Sequence, residues 1–172
     1  HVHHLRAFDK DTLKAEADIW RNKDSDSYKA IAPLVMDLIA KADYGLNFGP
    51  YSVMNKTGQL SNDQKDRHYY HSVRPYYWPY DLVPTNELAD LKKSSPEAFH
   101  RVGFVHRDGM RVPGSIIGGP GEDRNDRASA WYMVANVTNL ALAWHFTQDK
   151  KYAIYATSLV DMYILSDETG MH

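Results

Sequence analysis

Residues 65–79, KDRHYYHSVRPYYWP, hold three basic residues, two histidines and five aromatic rings in fifteen positions. Arginine and protonated histidine form charge-assisted hydrogen bonds with carboxylates. Tyrosine and tryptophan offer flat apolar faces that pack on the C–H faces of sugar rings. Side by side, Arg67, His68, Tyr69, Tyr76, Tyr77 and Trp78, joined by Arg74, are suited to gripping something flat and negatively charged. The competing reading is structural. Any one of these rings taken alone is more readily a core residue, and His68 alone is more readily a hydrogen-bonded structural histidine. A core would not tolerate three interleaved cations unpaired, and that favours binding.

Two further arginines, Arg107 and Arg111, precede the glycine-dense stretch 114–123, GSIIGGPGED. That composition suits a mobile loop able to fold over a bound chain as a lid. It lacks the Lys-Ser/Thr of a P-loop, and no strand pattern leads into it, which argues against a nucleotide site. His1, His3 and His4, with the terminal amine, have the chemistry of a copper or zinc chelate, but a frayed terminus or tag remnant explains them better. No metal site and no cofactor are read from the sequence. Asp123, Arg124, Asp126 and Arg127 alternate in sign as a solvated helix start does.

The elements that must hold these residues are mostly helical. Residues 9–22 read as a helix capped by Asp9 or Asp11, with Leu13, Ala17 and Trp20 on one face. A second helix is expected over 25–44, with Ile31, Leu34, Val35, Leu38, Ile39 and Ala42 inward and Gly45 as its stop. Pro33 predicts an irregular first turn or a later start. From 45 to 121 only short helical pieces such as 86–93 stand out, and Pro75 and Pro79 forbid a long element in the ribbon. Order returns with a long helix over 126–147, with Met133, Val137, Leu140, Ala141 and Trp144 inward. A polar turn leads to a helix over 150–165, lined by Tyr152, Tyr155, Ala156, Leu159, Val160 and Tyr163. Helices joined by a tight turn suggest stacked hairpins, as in a bundle, solenoid or α/α toroid.

The 172 residues match one ordinary domain, or part of a larger one. A net charge of -2 argues against a dedicated nucleic-acid partner. The absence of cysteine excludes disulfides and thiolate chemistry. No apolar run approaches the ~20 residues of a membrane span. The chain opens at His1 as a mature secreted protein does, and the sequon at Asn55 is compatible with secretion. The sequon at Asn136 falls inside a helix and reads as a chance match.

Three segments carry a resemblance to the alginate lyase family of polysaccharide lyases. Residues 49–79, GPYSVMNKTGQLSNDQKDRHYYHSVRPYYWP, follow the family's G-P-Y-S-V…K…S-G-D-K-H-D-Y…P-Y-W-W-P, with Asp66, His68, Tyr70, Ser72, Pro75, Tyr76, Trp78 and Pro79 matching. Residues 106–113, HRDGMRVP, resemble its R-D-G…N-P, and residues 135–172 resemble its L-A-L-A-Y-Y-F-T-G-D and D-P-E-T-x-M-N-P run. Arg67 stands for the usual Lys, Tyr69 for the usual Asp, and Arg74 for a small residue. The resemblance implies an all-α fold, an α/α toroid of helical hairpins, of which residues 1–172 are the N-terminal part. It implies β-elimination on a uronic-acid polymer such as alginate or glucuronan, with no cofactor. The Asn-His pair, Arg and Tyr that family members use for catalysis are expected beyond residue 172, since no Asn-His dipeptide occurs here. The expected partners are an acidic polysaccharide and the C-terminal half of the same protein. The rival reading is a carbohydrate-binding protein on the same fold that turns nothing over.

Overall fold

The structure is a computed structural model and describes residues 9–58, 60, 66–113 and 125–172. The predicted lid loop 114–123, Asp123, Arg124 and the N-terminal histidines lie outside the described residues. Five α-helices account for most of the regular structure among the described residues. They are α1 (Lys10–Arg21), α2 (Asp26–Gly45), α3 (Thr85–Ser94), α4 (Arg127–Thr147) and α5 (Lys150–Val160). The two strands, β1 (Tyr77–Pro79) and β2 (Phe104–His106), form an antiparallel pair that the sequence reading did not foresee. No helix among the described residues is long and apolar enough to cross a membrane.

The chain divides into two compact units: His1–Gly49 with Ala135–Ser158, and Pro50–Val134 with Leu159–His172. In the first, Asp9 caps α1 by accepting from Thr12 N–H at 3.1 Å, and Ser25 caps α2 by accepting from Tyr28 N–H at 3.0 Å. Both are N-cap residues whose oxygens replace a missing intrahelical acceptor. Ala17, Val35 and Phe146 form a small core, flanked by Trp20, Ile31, Leu38 and Ile39. The helix α2 runs unbroken through Pro33, against the expected irregular first turn or later start. Pro33 removes the hydrogen bond to the carbonyl of residue 29, where the chain is exposed and water can replace it. Leu34, expected inward, is 74% exposed, because the buried stripe runs through Ala32, Val35, Ala42 and Gly45.

Gly45 is the last residue of α2 rather than a left-handed stop, since Leu46 continues at φ -61°. Its smallness serves a contact. Asn136 of α4 donates from Nδ2 to the Gly45 carbonyl at 2.9 Å, and a Cβ at Gly45 would lie 2.0 Å from Asn136 Oδ1. Asn136 is thus buried and engaged. The inward face of α4 is Met133, Asn136, Leu140, Ala143 and Phe146; Ala141 and Trp144, predicted inward, point outward. Met133 and Leu140 were read correctly and the last turns were not, because an all-round apolar helix does not mark its inner face. His145 closes the last turn of α4, its Nε2 paired with Leu13 O at 3.0 Å. On α5, Tyr152 donates to Asp43 at 2.8 Å and Tyr155 donates to Phe48 O at 2.5 Å.

The second unit holds the ribbon. Its core includes Val53, Val83, Phe104, Val105, Leu159 and Tyr163. The last turn of the predicted helix 150–165 is π-helical, Asp161–Leu165. Burial pushes the Tyr163 phenol up to about 12. The C-terminal segment is tied in by Ser52 Oγ donating to Thr169 O at 2.6 Å and by Met171 N–H donating to Tyr163 O at 2.9 Å.

Candidate functional site

The ribbon is shaped by its prolines and by the strand pairing. Pro75 and Pro79 confine β1 to three residues, paired as Tyr77 with His106, Trp78 with Val105 and Pro79 with Phe104. The pairing continues outward, with Arg107 N–H donating to Tyr76 O at 2.8 Å and Val112 N–H donating to Pro75 O at 2.7 Å. A tight turn, Met110 N–H to Arg107 O at 3.0 Å, lies between them. Gly109 takes φ +74° in that turn, a left-handed conformation that costs other residues energy. The turn brings Arg107 and Arg111 back over the ribbon's rings.

Strand alternation then sorts the side chains. The Arg107 guanidinium lies over the Trp78 ring at 4.4 Å, and that of Arg111 over Tyr76 at 6.0 Å. Trp78 Nε1 donates to Met110 O at 2.9 Å, fixing the indole. Tyr77 faces a different set. Its hydroxyl meets His100 Nε2 at 2.8 Å, its ring lies 5.0 Å from His106, and Arg101 stands over it at 5.8 Å. His100 Nδ1 is 3.0 Å from Glu97 O, a contact that requires its N–H there. Nε2 is therefore the acceptor, and the Tyr77 hydroxyl donates to it. Neither His100 nor Arg101 was singled out from the sequence. Their signal was the short-range proximity that only the β1–β2 pairing creates.

The two arginines differ in charge balance. Arg107 Nη2 is 2.5 Å from Glu87 Oε1 of α3, so its charge is already countered. Arg111 is exposed. A cavity of about 320 Å³ opens beside β2, with Glu97 and Asp108 next to His106 and Arg107. Two carboxylates there disfavour an anionic ligand.

The front of the ribbon folds differently. Arg67 turns inward: its Nη1 donates to Lys56 O, and its own carbonyl accepts from Lys56 Nζ at 2.5 Å. Lys56 Nζ is 3.1 Å from Asp126 Oδ2, both side chains being fully buried. His71 N–H also donates to Asp126 Oδ2, at 2.7 Å. Burial pushes the Asp126 carboxyl up, while the His71 N–H and the Lys56 ammonium pull the other way. Asp126, read from the sequence as part of a solvated helix start, is instead the buried counter-ion of Lys56. His68 stands apart from Arg67. Its Nδ1 is 2.8 Å from Asp66 Oδ1, its Nε2 is 3.2 Å from Glu168 O, and its ring stacks on His172 at 4.6 Å. The Asp66 hydrogen bond holds the imidazole above its usual 6.5. Tyr69 is 48% exposed and Arg74 is exposed.

The ribbon is therefore three neighbouring arrangements along the chain: Arg67 on the buried Lys56–Asp126 pair, His68 with Asp66 and His172, and rings paired with arginines on β1. The family profile described as alginate lyase matches residues 52–172, the span that contains all three. No curated protein matches the chain. Among solved structures, the chain is similar to an alginate lyase from Bacteroides ovatus, with 31% identity and a TM-score of 0.60. The match covers 92% of this chain and 34% of that one, so the chain spans about a third of its length. With the profile covering well over half of the residues, and the ribbon, α3, α4, α5 and the C-terminal segment falling within it, the chain belongs to the alginate lyase family.

Proposed function

We propose that the chain is part of a polysaccharide lyase that cleaves a uronic-acid polymer, alginate or glucuronan, by β-elimination. The observation that carries this reading is the stacking of Arg107 on Trp78 and of Arg111 on Tyr76. The exposed Arg111 over Tyr76 joins a cation to a ring, the combination that a carboxylated sugar needs, while Arg107, countered by Glu87, holds the neighbouring Trp78 ring. Elimination requires the sugar carboxylate to be neutralised, a base to remove the C5 proton and an acid to protonate the departing O4. Arg111 and His68, with Arg67 behind them, supply positive charge along the ribbon. Tyr69, Tyr76, Tyr77 and Trp78 supply the apolar wall, and the arginines lead into the loop read as a lid. Residues following 172 would bring the Asn-His pair, Arg and Tyr that the family resemblance implies. On this reading the helices belong to an α/α toroid, residues 1–172 are its N-terminal part, and the protein is secreted.

The test is growth of the ultraviolet band of unsaturated uronate when the protein is incubated with alginate and glucuronan. Residues 1–172 alone are expected to bind the polymer with little turnover, and turnover is expected to appear when the chain includes the second half. Robust turnover by residues 1–172 would overturn the placing of the catalytic group. Binding with no turnover by the complete protein would favour a non-catalytic carbohydrate-binding role on the same fold.

A further inference from the structure

We infer that Asp66, His68 and His172 form a binding site for one divalent transition cation of the zinc class. The inference does not depend on the sugar reading. It starts from the surroundings of His68, whose two acceptors an imidazolium satisfies with both N–H groups and a neutral imidazole with only one. Both ring nitrogens face oxygen acceptors, Asp66 Oδ1 at 2.8 Å and Glu168 O at 3.2 Å. A neutral imidazole has one N–H and can satisfy only one of them. The other nitrogen then sets its lone pair against an oxygen lone pair. A cation between Nδ1 and the Asp66 carboxylate removes that clash and leaves Nε2–H to donate to the Glu168 carbonyl. A ligating histidine is commonly oriented in this way, its second nitrogen donating to a backbone carbonyl.

His172 supplies the third donor. Its ring lies nearly parallel to that of His68, at 16° and 4.6 Å between centroids. One ligand atom from each of Asp66, His68 and His172 lies within 4.8 Å of the other two. Donors on a tetrahedral zinc with bonds near 2.0–2.1 Å sit about 3.3 Å apart, so the Asp66–His68 pair, at 2.8 Å, must open by about 0.5 Å and the rest of the cluster close by at most roughly 1.5 Å. His172 can make that movement. Its backbone is held, with N–H donating to His68 O at 3.2 Å, while its side chain is exposed and can change rotamer. Two imidazoles and one carboxylate suit zinc, cobalt, nickel or copper. Magnesium and calcium prefer all-oxygen shells. Three protein ligands leave a fourth position for water or an anionic oxygen.

The test titrates the full polypeptide with Zn²⁺ by calorimetry and with Co²⁺ by visible absorption. It uses a background in which His1, His3 and His4 are replaced by Ala, because those clustered imidazoles can bind metal themselves. One equivalent should bind. His68→Gln and His172→Ala should each weaken binding by about tenfold or more, and the Co²⁺ complex should show the intense visible band of a low-coordinate site. Should His68→Gln fail to fold by circular dichroism, the exposed His172→Ala still decides the matter. No saturable binding in the His1/His3/His4 background, or unchanged affinity in His172→Ala, would overturn the site and leave His68 as an imidazolium bridging Asp66 and Glu168.

Discussion

Lys56 and Asp126 form an ion pair in which neither side chain has any exposed surface. Removing one strands the other in a low-dielectric interior, which typically costs about 3–5 kcal/mol. Lys56→Met should therefore lower the denaturant midpoint sharply, and Lys56→Met with Asp126→Leu should recover much of the loss. Failure of that recovery would mean that the pair does more than balance its own charge. Arg67 and Arg111 looked alike in the sequence, but the structure separates them. Arg67 is hydrogen-bonded to Lys56 O beside the buried pair, whereas Arg111 is exposed over Tyr76. Arg111→Ala should weaken binding to an acidic uronan by ~1–3 kcal/mol, the range for a hydrogen bond to a charged group, with thermal stability unchanged. Arg67→Ala should lower both affinity and melting temperature. Equal effects of the two on stability, read by calorimetry, would contradict this division.

At the scale of elements, the glycine at the end of α2 sets how closely α4 approaches. Gly45→Ala puts a methyl where Asn136 Oδ1 sits and should cost about 1–3 kcal/mol, the usual range for overpacking. Adding Asn136→Ala should recover part of that cost by clearing the space, and a strictly additive double mutant would show that the two do not meet. Helix boundaries were legible because their signals are local. Asp9 and Ser25 cap where they stand in the sequence, and the polar turn after Thr147 is closed by Thr147 Oγ1 and Asp149. The inner face of α4 was not legible, because Ala141, Leu142, Ala143 and Trp144 are all apolar and only the neighbours decide which of them is covered. Nor was the strand pair, whose three-residue members are too short to show an alternation and are separated by 24 residues.

At the scale of the whole molecule, two quantities report on the assembled chain. Asp43 is held below its ordinary 3.8 by the Tyr152 hydroxyl and by Lys151. A carboxylate with a lowered folded pKa stabilises the fold above 3.8 and loses that contribution as pH falls through the folded value. Acid unfolding followed by circular dichroism should thus be shallower for Asp43→Asn than for the parent below pH 3.8, and parallel curves would refute the linkage. Large apolar side chains also remain uncovered, among them Leu34 at 74%, Ile154 at 69%, Leu165 at 66% and Trp131 at 62%. Exposed apolar surface on this scale drives association. Sedimentation of residues 1–172 should show a concentration-dependent increase in mass, and a sharp monomer at all concentrations would show that these side chains need no cover.

The amino-acid sequence by itself determined the helical character, the caps, the place of the aromatic-basic ribbon and, through its motifs, the family. All of these are written in residues close together along the chain, where spacing and side-chain type act directly. Tertiary structure alone decided which cations face rings and which are buried. It set Asp126 against Lys56 across 70 positions, and it brought His172 onto His68 across 104. Charge pairing and ligand geometry act over a few ångströms of space, and only the folded chain fixes which distant residues share that space.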